Sequence, residues 1–241
     1  MPSAKSGCAY GTEALVSASH SRVLRERTLG GLHDFLFERV FPAYVAPEIS
    51  VADLGAGTGA LAQRLQNAGC EVVPVELDVR GFEADIPCVP LDLNDAHFAQ
   101  ELGRGRFRIV TSVEVIEHLE APINFLRNIR YLLDPQGVAI LTTPNVENAP
   151  ARLKFFLTAR IRSMDSRGDA THITPIFLDL LKRQYLPRAG LRLAERYSYP
   201  SDGFRLTRPQ ISWVMRLLGL CMGGEASIGD VHVLVLRPDA G

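Results

Sequence analysis

The chain has 241 residues and a formal net charge of −1, with 46% hydrophobic and 22% charged residues. This is a globular composition, and it excludes global disorder. The near-neutral charge argues against a protein whose whole surface binds nucleic acid, although it leaves room for a local basic patch. The length suits one α/β domain with additions.

The N-terminal residues lack the continuous apolar core of a secretory signal. No apolar stretch approaches the roughly 20 residues that span a bilayer. The cysteines at positions 8, 70, 88 and 221 are scattered without a CxxC pair, which is typical of reduced thiols. We therefore expect a cytoplasmic protein without a transmembrane segment. The sequence does not fix the oligomeric state.

The apolar residues between His20 and Val40 have a helical spacing that Gly30 and Gly31 interrupt. They predict two short helices that form a cap or lid. We assign residues 1–45 to this N-terminal helical unit.

From Ile49 onward, strands and helices alternate, which predicts an α/β fold: a Rossmann-like, mostly parallel sheet with helices on both faces. The last two predicted strands lack a crossover helix, so we expect an antiparallel C-terminal hairpin. This domain takes residues 46–241, with substrate-side insertions near 151–172 and 200–228. Open sheets of this kind bind ligands at the carboxyl ends of their strands.

Two prolines mark predicted helix starts. Pro122 stands in the first turn of a helix that continues with apolar residues at helical spacing. Thr174 and Pro175 form an expected N-cap and first helical residue for the segment IFLDLLKRQYL.

A glycine-rich loop, Asp53–Gly59, follows the first strand and opens a helix. Its glycines permit a tight turn and let a ligand approach the backbone. Gly55, Gly57 and Ala60 also satisfy a relaxed dinucleotide fingerprint, and Glu76, about 20 positions on, fits either kind of cofactor.

Asp53 decides between these cofactors. A carboxylate before the first glycine repels a pyrophosphate but attracts an ammonium group, and S-adenosylmethionine carries an α-amino group and no phosphate. VADLGAGTG, Glu76, Asp92 and EVIEHL together resemble class I S-adenosylmethionine-dependent methyltransferases. The resemblance covers roughly residues 49–193 and implies a seven-stranded sheet.

The resemblance also implies a set of cofactor contacts. Asp53 and the loop would hold the methionine moiety, Glu76 the ribose hydroxyls, and Asp92 with Leu93 the adenine. Asp92 fits the N-cap of a following helix equally well. The segment after Glu76 is shorter than the family pattern. The full predicted set is Asp53, Gly55, Ala56, Gly57, Gly59, Glu76, Asp92, Leu93, Val113 and Glu114.

Glu114, Glu117 and His118 follow the fourth strand with a spacing that shares one face of a helix. Two carboxylates and an imidazole can ligate magnesium or another divalent cation. Two alternatives stay open. Glu114 fits a capping box with Thr111, and His118 fits a lone general base that deprotonates an acceptor hydroxyl.

The EVIEH segment resembles the motif of ubiquinone-biosynthesis O-methyltransferases and of small-RNA terminal 2′-O-methyltransferases. In both branches the glutamates and the histidine are understood to bind magnesium. In the RNA branch, a histidine downstream of a TPN sequence completes the site, and this chain has TPN at 143–145 and His172. The resemblance implies a metal at Glu114, Glu117, His118 and His172, with Glu117 and His118 as the catalytic pair.

The segment 151–168 carries five basic residues against Asp165 alone. It is either a solvated loop or a clamp for an anionic acceptor. The candidate substrate residues are Arg152, Arg160, Arg162 and His172. The later apolar segment ISWVMRLLGLCMGG is interpreted as core, ahead of a dimer patch or a lipid-facing lid.

The favoured function is methyl transfer to a hydroxyl group of an acceptor that is either a small molecule or linked to a lipid or sugar. The alternative is a small-RNA 2′-O-methyltransferase. The near-neutral charge and the lack of a recognised RNA-binding module argue against it. A nicotinamide-dependent oxidoreductase or a non-catalytic cofactor-binding module is a third hypothesis, which Asp53 argues against.

Overall fold

The structure is a computed structural model, and it describes residues 24–165, 168–205, 208–222 and 226–239. Within these ranges, seven strands form one sheet in the order β3-β2-β1-β4-β5-β7-β6. The strands are β1 (Ser50–Leu54), β2 (Glu71–Glu76), β3 (Val89–Pro90), β4 (Phe107–Val113), β5 (Leu133–Pro144), β6 (Leu191–Tyr199) and β7 (Val231–Pro238). The first five are parallel, whereas β7 is antiparallel to both β5 and β6. The predicted seven-stranded, mostly parallel sheet with an antiparallel C-terminal hairpin is confirmed.

Helices cover both faces of the sheet, as predicted. They are α1 (Leu32–Arg39), α2 (Ala60–Asn67), α3 (Pro122–Leu132), α4 (Ala149–Thr158), α5 (Leu178–Leu180), α6 (Leu186–Ala189) and α7 (Pro209–Met222). A π-helical stretch, Leu181–Tyr185, joins α5 to α6, and the main 3₁₀ turns are Phe98–Glu101 and Ile116–His118.

The core has two parts, one on each face. The larger part packs α3, α5 and α6 against the sheet around Phe98, Phe107 and Phe125. The smaller part packs α1 and α2 against the opposite face, with Leu36 and Leu65 fully buried. Burial of each such leucine side chain contributes roughly 1.5–3 kcal/mol. The sheet is therefore a rigid platform, and its carboxyl edge holds the loops that carry chemistry.

The N-terminal region departs from the prediction of two short helices. Residues 24–30 are not helical, and α1 starts directly after Gly31. Gly31 has φ +81°, a left-handed conformation that glycine adopts without steric cost, so the Gly-Gly pair begins a helix instead of separating two. The buried side of α1 belongs to the core, so α1 packs on the sheet and is not a projecting lid. Residues 20–23 of the predicted first helix lie outside the described residues, and the boundary at residue 45 stays a prediction.

The predicted helix start at Pro122 is confirmed, and the one at Thr174 is wrong. The helix begins at Leu178, after an extended Phe177. Thr174 instead ties its segment to the turn Ile116–His118. Its N–H donates to Glu117 O and its hydroxyl donates to Leu119 O. Thr174 is therefore held by hydrogen bonds to this turn, and it does not cap a helix.

The apolar segment interpreted as core forms α7, which is only partly buried. Met215 packs with Ala149 and Phe204, whereas Trp213 and Leu217 stand in solvent at 64% and 52% exposure. In the part of the chain that the structure describes, no helix combines the length and the apolar character needed to cross a membrane.

Candidate active site

The glycine loop turns the chain sharply between β1 and α2. The N–H groups of Gly55 and Ala56 both donate to Val75 O at 2.9 Å, which ties the loop to the end of β2. Gly55 has φ +74°, and a Cβ atom there would lie 2.5 Å from a methyl of Val115. Glycine is therefore required at position 55 by both its backbone angle and its close packing.

Asp53 is the last polar residue of β1, and it is buried. The strand register places it beside Thr111, whose hydroxyl donates to Asp53 Oδ1 at 2.8 Å. Oδ2 is buried and has no hydrogen-bond partner among the described residues. Burial raises the pKa of Asp53 to about 6; the Glu76 charge adds to the rise and the Thr111 hydroxyl opposes it. An unpaired buried carboxylate oxygen of this kind fits an ammonium group.

A cavity of about 470 Å³ opens beside Asp53 at the carboxyl edge of the sheet. Of the predicted cofactor residues, the structure brings all but Gly59 to this cavity; Gly59 is the N-cap of α2 instead. Those that line it are Asp53, Gly55, Ala56, Gly57, Glu76, Asp92, Leu93, Val113 and Glu114.

Glu76 ends β2, and Asp92 follows the end of the neighbouring β3, and both line this cavity. The two carboxylate oxygens of Glu76 accept hydrogen bonds from the N–H groups of Gly57, at 2.7 Å, and Leu77, at 2.9 Å. The Asp92 carboxylate accepts the N–H of Asn94 at 2.9 Å. The alternative of Asp92 as a helix N-cap is wrong, because the next helical turn begins only at Phe98.

Glu114 does not lie on a helix. Its φ is +57°, and its N–H donates to the hydroxyl of Thr142 at 3.0 Å. Glu117 and His118 belong to the short 3₁₀ turn that follows, so the predicted shared helix face is wrong. The capping box is wrong as well, because Thr111 lies within β4 and bonds to Asp53. Burial raises the pKa of Glu114 to about 7.

Glu117, His118 and His172 meet instead. One oxygen or nitrogen atom from each lies within 4.8 Å of the others, and Glu114 is outside this group. The Glu117 side chain is fully buried, and neither carboxylate oxygen has a hydrogen-bond partner among the described residues. The Thr143 hydroxyl faces it without the geometry of a hydrogen bond. Burial, and then the Glu114 charge, raise the pKa of Glu117 well above its usual value.

Hydrogen bonds orient both imidazoles with Nε2 free to accept. His172 Nδ1 lies 2.8 Å from Ser163 O, and a carbonyl only accepts, so Nδ1 is the donor. The Thr171 hydroxyl donates to Asp169 at 2.6 Å and therefore accepts from His118 Nδ1 at 2.9 Å. Each Nε2 then carries a lone pair. Burial, and the neighbouring His172, lower the pKa of His118.

A family model described as "Methyltransferase domain" matches residues 24–195. The chain belongs to this methyltransferase family. Among curated proteins, the ubiquinone biosynthesis O-methyltransferase of Cereibacter sphaeroides is 29% identical over 103 residues, and that of Ruegeria pomeroyi is 31% identical over 104 residues. Each match covers 40% of this chain and 42% of the relative, so the chain spans less than half the length of these relatives.

Solved structures share the fold of this methyltransferase. A SAM-dependent methyltransferase from Archaeoglobus fulgidus matches with a TM-score of 0.59 at 17% identity, over 86% of this chain and 92% of that one. A putative methyltransferase from Bacillus halodurans matches with a TM-score of 0.55 at 17% identity, over 88% and 100%. The predicted class I SAM-dependent methyltransferase fold is confirmed, and the hypothesis of a nicotinamide-dependent oxidoreductase is wrong.

The basic segment of the methyltransferase is only partly exposed. Arg162 pairs with buried Asp230 at 2.7 Å, and Lys154 pairs with Asp165 at 2.7 Å. Arg152 donates through Nε to Glu147 O, whereas Arg160 is exposed. Arg167 lies outside the described residues. The structure thus gives Arg162 an internal partner and leaves Arg160 in solvent.

Among the cavity residues that sequence reasoning missed are Arg27, Thr28 and His33. Arg27 and Thr28 precede α1, in a segment that the Thr58 hydroxyl holds by donating to Arg25 O at 2.7 Å, and His33 lies in the first turn of α1. Burial lowers the pKa of His33 to about 4, so this imidazole is neutral near pH 7. No spacing rule connects this segment to the glycine loop, and only the fold brings them together.

Proposed function

We propose that this methyltransferase transfers the methyl group of S-adenosylmethionine to a hydroxyl of a small acceptor, free or attached to a lipid or sugar. The observation that carries the proposal is the cluster of Glu117, His118 and His172, because His118 also lines the cofactor cavity. A hydroxyl is a poor nucleophile while protonated, and these three side chains are suited to activating one.

The cofactor assignment rests on the cavity. Asp53 pairs its free Oδ2 with the α-amino group of the methionine moiety. Glu76 retains lone pairs for the ribose hydroxyls beyond the two backbone bonds that it accepts. Asp92 and Leu93 contact the adenine, and Val113 and Glu114 line the end of the cavity nearest His118.

A divalent cation such as magnesium suits the cluster. A buried carboxylate without a hydrogen-bond partner is costly unless a positive charge compensates it, and Glu117 is in that position. Hydrogen bonds donated by Nδ1 to an oxygen, as at both histidines, are typical of imidazoles that bind a metal through Nε2. When bound, the cation lowers the pKa of the acceptor hydroxyl. Glu117, His118 and His172 would hold it, and Glu114 would not.

The protein's own residues align the two reactants for a displacement reaction. The sulfonium brings the leaving group, so the chain has only to place the acceptor oxygen in line with the methyl group. Glu117 fixes the turn as well, since its carbonyl accepts the N–H groups of both Ile173 and Thr174 at 2.9 Å. If no cation binds, His118 Nε2 is the group positioned to take the hydroxyl proton.

The test is methyl transfer from labelled S-adenosylmethionine into lipid, small-molecule and RNA fractions of a cell extract. We expect label in an alkali-stable ether of a lipid or small molecule, loss of turnover on chelation, and recovery with magnesium or manganese. Glu117→Gln should be inactive, and the exposed neighbour variant Glu120→Gln should be active. Label in RNA or on an amine would reject the proposed acceptor class. Full turnover after verified metal removal would reject the cation and leave His118 as the base.

A further inference from the structure

The helices α4 and α7 present large apolar side chains to solvent. On α4, Phe155, Phe156 and Leu157 are 56%, 84% and 68% exposed. On α7, Trp213, Leu217 and Leu220 are 64%, 52% and 63% exposed. We call these six residues the α4–α7 face. The two helices pack against each other, and apolar exposure on this scale marks a surface that is covered by something else in use.

The geometry of α7 explains why these side chains are not core. Residues 213, 217 and 220 have the i, i+4, i+7 spacing of a single helix face. The opposite side carries Met215, which is buried, and Gly219, where an added Cβ would lie 3.6 Å from Cβ of Ala149 at the start of α4. The helix α7 therefore packs against α4 through the side that carries Met215 and Gly219, and the apolar side chains of its other side face outward.

The charged residues on α4 and α7 themselves all have one sign. Neither α4 nor α7 contains an aspartate or glutamate. Arg160, Arg208 and Arg216 are exposed beside the apolar residues. Aromatic and leucine side chains next to arginines are the composition of helices that lie in a membrane interface, where apolar groups enter the lipid and cations meet anionic headgroups.

We propose that the α4–α7 face docks the protein onto the surface of an anionic lipid bilayer. Charge complementarity favours lipid over a second copy of the chain, because a self-paired face would bring the same arginines of two copies together. The proposed attachment is peripheral, through exposed side chains of α4 and α7. It does not depend on the proposed acceptor, and lipid binding is measured without any methyl transfer.

Docking would also place a second cavity at the lipid surface. This cavity, of about 600 Å³, is lined by Phe155, Phe156 and Phe177 at its outer side and reaches Val146, just beyond the end of β5. An acceptor with an apolar part would then enter from the bilayer. That consequence rests on the proposed function, whereas the docking itself does not.

Tryptophan fluorescence reports on the α4–α7 face directly, because Trp213 is the only tryptophan in the sequence. We would titrate the 241-residue protein with vesicles of phosphatidylcholine alone or mixed equally with phosphatidylglycerol, and follow tryptophan emission and co-sedimentation. We expect a blue shift and co-sedimentation with the anionic vesicles, and weaker binding with neutral vesicles or at high salt. The double variant Phe156→Ser with Leu157→Ser should bind about tenfold more weakly or worse.

The control is Val79→Ser, which removes an apolar side chain that is 40% exposed and lies outside the α4–α7 face. It should bind vesicles like the wild type. S-adenosylmethionine affinity, measured on each variant, shows that the site is still folded. An unshifted Trp213 emission with anionic vesicles, or equal vesicle binding by the double variant, would overturn the proposal. So would a stable dimer that shields Trp213 in the absence of lipid, which would make the face a contact between two copies.

Discussion

The carboxylates at the cofactor end and at the acceptor end of the site differ in how many hydrogen bonds they accept. At the cofactor end, Asp53 accepts from Thr111 through Oδ1 alone, and the half-buried Glu76 accepts from two backbone N–H groups. At the acceptor end, Glu117 is fully buried with neither oxygen hydrogen-bonded by a described residue. The comparison teaches that the cofactor end is largely formed by the sheet itself, whereas the Glu117 carboxylate at the proposed acceptor end would be stabilised by a positively charged group.

The two ends also differ in how they are built. Asp53 and Glu76 stand at the ends of adjacent parallel strands, whose register fixes their separation. Glu117 and His118 stand on a short turn, and His172 stands in the long connection between α4 and α5. The acceptor end therefore depends on loop contacts, and changes in those loops should act on it more strongly than on cofactor binding.

The largest expected effect lies in the basic segment beside the acceptor end. Arg162→Ala should lower the free energy of unfolding by about 3–5 kcal/mol, because it breaks an ion pair with Asp230, whose side chain is 0% exposed. Arg160→Ala, at an exposed position of the same segment, should change it by less than about 0.5 kcal/mol. Urea unfolding measures both. Equal effects would show that the segment is a solvated loop throughout.

Removal of the negative charge of Asp53 at the cofactor end should have the next largest effect. Asp53→Asn loses the partner of the ammonium group and should weaken S-adenosylmethionine binding by about 2–3 kcal/mol in calorimetry. Asp85→Asn, an exposed acid on the same side of the fold, serves as the control and should bind normally. Wild-type affinity in the Asp53 variant would remove the basis for the cofactor assignment.

The same carboxylate predicts a pH dependence. The pKa of Asp53 is raised to about 6, and only its charged form attracts the ammonium. Cofactor affinity should fall about tenfold for each pH unit below 6, or about 1.4 kcal/mol per unit, and should level off above about pH 7 for as long as the amino group of the cofactor stays protonated. In Asp53→Asn the affinity should be weak and flat over this range. A flat profile in the wild-type protein would contradict the assignment.

The smallest effect concerns a residue that only the fold reveals. Arg27 lines the cofactor cavity and is exposed to solvent. Its charge suits the carboxylate of the methionine moiety, but solvent screens it, so Arg27→Ala should weaken binding by about 0.5–1 kcal/mol. Arg25→Ala removes a neighbouring exposed side chain and should have no effect. Equal losses of affinity in the two variants would indicate a general electrostatic effect of positive charge instead of a contact made by Arg27.

The sequence predicted most of the cofactor end, because strand ends in a parallel sheet converge on one edge. It misplaced Glu114, since the left-handed backbone at that residue breaks the helical spacing on which the prediction relied. The resemblance to known motifs brought in His172, although spacing alone gives no reason for its approach to Glu117. Arg27 carried no signal, because its position follows from the packing of α1 on the sheet and not from a motif.

The central proposal is that Glu117, His118 and His172 form a cation site beside the cofactor cavity, which His118 also lines. Its most direct test is a manganese titration of the metal-free protein, followed by electron paramagnetic resonance, for the wild type, Glu117→Gln and the control Glu120→Gln. We expect one saturable manganese ion in the wild type and the control, and none in Glu117→Gln, which should still bind S-adenosylmethionine normally. Saturable binding that survives in Glu117→Gln, or no binding in the wild type, would contradict the account.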